Sequence, residues 1–261
     1  MMVESIRELR KICQEPPPQL PFLTKLYNRF SKFFSIYITK ILLYTKITAN
    51  QLNLIMFLIA LIGIYLISIA NFKFTIIGII ILHLEALLDA VDGEIARYQK
   101  KASPMGYFID TLTHSAIHPL IFMAITINIY KSNPSILVVT FGFLGSIFMI
   151  LSDIVSVLKH EAVFMQIIKS EQSNHNQIIE KKKINQNNQQ AKSSSFKKVY
   201  KELNPILKYY VFLFALLFAG VFNQLYLLLI FYAITLPINW IVLSIYEYKI
   251  GLKPWKHLYE K

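Results

Sequence analysis

The sequence predicts an all-α integral membrane protein with six transmembrane helices preceded by an interfacial amphipathic helix. Three observations carry that expectation. Of the 261 residues 55% are hydrophobic and the mean hydropathy is +0.47, too apolar for an ordinary soluble domain. Apolar runs of about 20 residues, the length a helix needs to cross the hydrocarbon core, recur along the chain. The 27 lysines and arginines exceed the 15 acidic residues, giving net charge +12, and they gather beside alternate ends of those runs.

Residues 1–47 read as an N-terminal segment, 48–250 as the transmembrane domain and 251–261 as a tail. Residues 1–19 are polar and lack an apolar core segment, so no cleavable signal peptide is expected. Pro16-Pro17-Pro18 predicts a stiff extended piece rather than helix. From Leu20 to Lys46, apolar residues alternate with Lys25, Arg29, Lys32, Lys40 and Lys46. That pattern suits a basic helix lying in the membrane interface, with a soluble surface helix as the alternative. Thr48 or Asn50 is placed to cap the first long apolar helix.

Spans are expected near residues 52–70, 74–94, 106–130, 135–158, 206–222 and 225–246. Only Asn223-Gln224 joins the last two, which predicts a tight hairpin. Residues 160–204 change character, with Lys181-Lys182-Lys183 and Ser193-Ser194-Ser195 marking a polar, low-complexity linker. No repeat of fixed period is evident, and nothing supports strands. The single cysteine, Cys13, excludes an internal disulfide and any multi-cysteine metal site.

Basic residues crowd the segment before the first span, the joint at Arg97, Lys100 and Lys101, the 160–204 linker and the tail. The opposite loops hold only Lys73 and Lys131. The positive-inside rule then puts both termini and the Arg97 joint on the cytoplasmic side. Topology and attraction to anionic lipid heads account for the charge, and no nucleic-acid motif accompanies it.

The joint between the second and third spans carries the chemistry. It reads Asp89-Ala-Val-Asp92-Gly93-Glu-Ile-Ala96-Arg97, eight residues, then Gly106-Tyr-Phe-Ile-Asp110-Thr-Leu-Thr-His114. At about 100° per residue, Asp89 and Asp92 lie roughly 60° apart on one helix face, and Asp110 and His114 about 40° apart on the next. Antiparallel packing would aim both pairs into one pocket at the membrane edge. Carboxylates so near lipid are costly unless compensated, and a cation is the natural partner. The alternative for any single acid is a helix-end charge in water, or a pair with Arg97, Lys100 or Lys101.

The pattern DxxDGxxAR, eight residues, GxxxDxxx resembles the signature of the CDP-alcohol phosphotransferase family, whose last position is a fourth Asp. Asp89, Asp92, Gly93, Ala96, Arg97, Gly106 and Asp110 match it, and His114 departs from it. Thr48-Ala49-Asn50 is similar to the family's Thr-Pro-Asn opening of the first span, with Ala49 in place of proline. The resemblance implies a membrane enzyme that cleaves a CDP-linked donor, CDP-diacylglycerol or a CDP-alcohol, passes its phosphate-bearing group to an alcohol acceptor and releases CMP. It also implies a homodimer.

Within that frame Asp89, Asp92 and Asp110 are the expected metal ligands, holding Mg²⁺ or Mn²⁺, with two ions in the family's arrangement. Such hard cations neutralise a pyrophosphate and the charge that develops on it. His114 is expected both as a metal ligand and as the acceptor's base, since an unperturbed imidazole titrates near ~6.5 and a carboxylate near ~4. Asp110 is grouped with it as catalytic. Gly93 and Gly106 would allow close approach of the nucleotide, or only tight helix packing. Arg97 is suited to bidentate contact with the pyrophosphate. Asn50, Ala96 and Ser103 complete the expected donor contacts.

Glu85, one turn before Asp89, either orients a ligand or, the favoured reading, holds a buried hydrogen bond; His83 reads as a packing residue, and His118, one turn beyond His114, is not read as a ligand. Asp153 either lines an acceptor cavity or pairs with a neighbouring hydroxyl. The alternative function is a catalytically degenerate member that binds nucleotide or lipid, having lost the fourth Asp. A transporter would need polar or broken helices in two matching halves, and none are visible.

Overall fold

The computed structural model describes residues 4–14, 22–45, 47–100, 104–173 and 209–248. Among these there are eight helices and no strand: α1 Ile6–Cys13, α2 Phe22–Leu42, α3 Ala49–Ser68, α4 Phe72–Tyr98, α5 Pro104–Ser132, α6 Ile136–Ser173, α7 Tyr209–Val221 and α8 Leu225–Tyr246.

Five of them, α3, α4, α5, the Ile136–Val155 part of α6, and α8, are long and apolar enough to cross a membrane. The fifth expected span appears as α7, which has 13 described residues. The residues before Tyr209, on which the rest of that span falls, lie outside the described ones.

Local chemistry sets the helix limits. Thr48 caps α3, its hydroxyl accepting from the Gln51 N–H while the Gln51 side chain returns to the Thr48 N–H. Asn71 caps α4. Ala70 and Asn223 take left-handed backbone at φ 64° and 55° in the α3–α4 and α7–α8 connections, the second being the tight hairpin expected at Asn223-Gln224. Ser5 and Glu8 form a capping box that starts α1 ahead of the prolines, which lie outside the described residues. Helix α6 runs on to Ser173, so residues 160–173, read as linker, are helical.

Helices α3 and α4 are the closest pair. A Cβ on Gly63 would stand 2.9 Å from the Gly78 carbonyl oxygen, and one on Gly78 would stand 2.5 Å from that of Gly63. The nearest atom in each case is a backbone oxygen, which cannot swing aside as a side chain can, so two facing glycines are what permit the approach. Ile79, Leu82, Ile117, Ile121, Leu213 and Leu216 form the sealed centre between α4, α5 and α7.

Helix α2 lays Ser35 and Thr39 against α4 while Phe30, Phe33, Phe34 and Tyr37 stay exposed. The contact they make is to Glu94, which is 1% exposed. Its carboxylate accepts from Gln14 of the chain just past α1, and from Ser35 and Thr39 of α2. A buried carboxylate is tolerated because three donors replace its water. Glu94 therefore fastens the N-terminal helices to the same helix that carries the acidic motif.

Candidate active site

Four helices meet at the joint. Helix α4 brings Asp89 and Asp92, α5 brings Asp110 and His114, α3 brings Asn53, and α7 begins with Tyr209 and Tyr210. His114 Nε2 lies 3.1 Å from Asp89 Oδ1 and 3.3 Å from Asp110 Oδ1. Ligand atoms of these three residues fall within 4.8 Å of one another. Helix α5 thus contributes both members of its pair to one point, and α4 contributes Asp89.

Each carboxylate has further support. The Tyr210 hydroxyl donates to Asp89 Oδ2 at 2.6 Å. The Asn53 amide donates to Asp110 Oδ1 at 3.2 Å and is itself fixed by the Thr113 hydroxyl, which donates to Asn53 Oδ1 at 2.8 Å. Asn53 also interacts with the Asp92 carboxylate, so one amide links the two acids across α3. Asp92 itself stands outside the group gathered around His114. Tyr209 donates to Glu85 at 2.7 Å, the buried hydrogen bond expected for that glutamate.

The described acids do not pair with Arg97 or Lys100. The Arg97 Nε–H donates to the Cys13 carbonyl at the end of α1. Its guanidinium lies over Gly93, where a Cβ would come within 3.3 Å of it. Gly93 therefore makes room for Arg97. Burial pushes the Cys13 thiol up to about 11, the neighbouring Glu94 adding to the effect, which disfavours the reactive thiolate.

The remaining expected residues are spread around this centre. Ala96 is half-buried on α4, and Gly106 is half-buried one turn before Asp110. Asn50 is exposed on the first turn of α3, and Thr48 makes the cap. Ser103 lies outside the described residues. Sequence reasoning missed Asn53, Tyr209 and Tyr210. Asn53 left a faint signal, a lone amide in an otherwise apolar run one turn after Asn50.

A cavity of about 350 Å³ opens beside the acids, lined by Asp110, His114, His118, Asp153, Tyr209 and Tyr210 among others. The family model for CDP-alcohol phosphatidyltransferases matches residues 46–245, from just before α3 almost to the end of α8. The chain belongs to that family. Comparison with curated proteins gives no match. Membership makes this a multi-pass membrane transferase of the CDP-alcohol class, with a place in phospholipid synthesis.

The family characteristically uses a divalent metal, and the residues present fit one. Two carboxylates and an imidazole from two helices converge on a common point. That set is chemically complete enough for a small cation.

Proposed function

We propose that the protein transfers a phosphate-linked group from a CDP-activated donor, CDP-diacylglycerol or a CDP-alcohol, to an alcohol acceptor, releasing CMP. The observation that carries this reading is the convergence of Asp89, Asp110 and His114 at the edge of a cavity. Asp89 and Asp110 would hold a divalent ion, and Asp92, on the same face of α4, would help hold a second. Bound there, Mg²⁺ or Mn²⁺ neutralises the donor's pyrophosphate and the charge that builds on the departing phosphate.

The other residues bind and position. Arg97 pairs with phosphate oxygens, with Gly93 clearing its path and the Cys13 carbonyl fixing its direction. Ala96 and Gly106 let the nucleotide approach the helices, and Asn50 and Ser103 supply polar contacts to the donor.

His114 takes the acceptor's proton on its imidazole, and the Asp89 and Asp110 carboxylates beside Nε2 stabilise the imidazolium that forms. The acceptor oxygen then bonds to phosphorus, the phosphorus–oxygen bond to CMP breaks, and CMP leaves with that electron pair. A nitrogen that holds a metal has no lone pair left for a proton. His114 can therefore be ligand or base, one at a time, and the base role is the one assigned to it here.

The test is purified full-length protein in lipid, given labelled CDP-diacylglycerol or CDP-alcohols and scored for CMP. Metal-dependent CMP release that requires an alcohol is the expected result. Absence of release from every donor removes the transferase reading in favour of a degenerate member that only binds nucleotide or lipid.

The topology proposal is six spans, with α7 and the residues before it as the fifth and α2 lying in the membrane interface by its exposed aromatic face. Both termini, the Arg97 joint and the 160–204 stretch then face the cytoplasm, following the lysine and arginine distribution. Cysteine labelling from outside intact cells should reach positions 73 and 131. Reagent reaching 101 or 185 instead would invert the arrangement.

A homodimer, with each protomer keeping its own site, follows from the family resemblance. Cross-linking in bilayers that captures only monomer removes it.

A further inference from the structure

The cavity continues past His114 to a second polar pair. His118 Nδ1 lies 3.2 Å from Asp153 Oδ2, joining α5 to α6 one helical turn beyond His114. The two imidazole centroids are 5.6 Å apart, and the Tyr209 ring lies 4.5 Å from that of His118. Asp153 keeps 31% of its side chain exposed in the cavity, while that of His118 is 9% exposed. His118 Nε2 is buried there with no hydrogen-bond partner. A buried nitrogen without a partner is costly, and here it belongs to a residue that lines a cavity and holds a half-open carboxylate.

From this, and resting on the transferase reading above, we propose that the His118–Asp153 end of the cavity is the acceptor subsite. It selects a small polar alcohol that carries no phosphate. The charge of the lining argues for this class. Among the described lining residues there are two carboxylates, Asp110 and Asp153, and no lysine or arginine. Beside the half-open Asp153 carboxylate a phosphate monoester would meet like charge, whereas a second hydroxyl or an ammonium would donate to it.

The spacing sets the size. With the reacting hydroxyl at His114, the second donor must sit about one helical turn away, ~5 Å, which a polyol or an amino alcohol spans. His118 is a positioning residue, orienting Asp153 through Nδ1.

The experiment compares the full chain and Asp153→Asn in lipid, with glycerol, inositol, serine and ethanolamine set against glycerol 3-phosphate and inositol phosphate. Asp153→Glu serves as the conservative partner. The expected result is turnover with a phosphate-free alcohol at least tenfold above its phosphorylated counterpart. Asp153→Asn should raise the acceptor KM tenfold or more with donor KM unchanged, and Asp153→Glu should recover part of the loss. The polyol and amino-alcohol arms show which donor group Asp153 meets.

Preference for a phosphorylated acceptor, or an unchanged acceptor KM in Asp153→Asn, overturns the proposal. Direct binding of the same alcohols by ligand-induced thermal shift separates the two readings. Asp153-dependent binding without CMP release sinks the transferase and leaves the subsite standing. Absence of binding by any phosphate-free alcohol sinks the subsite.

Discussion

Asp110→Asn is expected to lower CMP release by ~10³-fold or more, with Asp89→Asn close behind. The substitution preserves shape and can keep the contact with Asn53, which holds Asp110 Oδ1 at 3.2 Å. What it removes is one of two negative charges that would draw a cation to the point shared with His114. An amide oxygen is a far weaker ligand for a hard dication than a carboxylate.

Chelation of wild type should produce a loss of the same order, reversed by adding Mg²⁺ or Mn²⁺. Thermal unfolding in detergent serves as the control, because a misfolded variant would also lose activity. Full CMP release by a folded Asp110→Asn protein would remove the shared metal site. The Asp92→Asn variant is informative beside it, since Asp92 stands apart from the His114 group. A comparable loss there would place a second ion at Asp92.

Replacing His114 should have the next largest effect. His114→Ala deletes the proposed base and should cost about 10²–10⁴-fold in kcat, the usual worth of a positioned general base. It also deletes the contacts at 3.1 and 3.3 Å to Asp89 and Asp110, so the variant must be compared with His114→Asp. Aspartate restores the family's acidic residue and adds an oxygen donor beside the ion, so its activity should shift toward Mg²⁺, which prefers oxygen ligands, relative to wild type. Alanine as active as wild type would show that histidine is not the base. A silent wild type beside an active aspartate variant would make the natural chain a degenerate enzyme.

Much of the site was legible because it is local. Asp89 with Asp92, and Asp110 with His114, are spaced so that helix geometry alone puts each pair on one face. The short joint between two apolar helices forces those faces together. Glu94 shows where local spacing also points away. It lies about 200° around α4 from Asp92, and it is buried against α1 and α2 instead of joining the acids.

What the sequence by itself determined was the helical membrane architecture, the acidic joint and the family. Hydrophobic length, charge distribution and i, i+3 or i+4 spacing are properties of one segment at a time. Only the tertiary structure decided that Asn53 braces Asp110 and that Tyr210 braces Asp89. It also decided that Arg97 is aimed by a carbonyl of α1 and that His118 meets Asp153 beyond His114. These contacts join residues tens of positions apart in the chain. A helix's periodicity tells which face is polar, but the identity of the helix that face meets is set by packing the whole bundle.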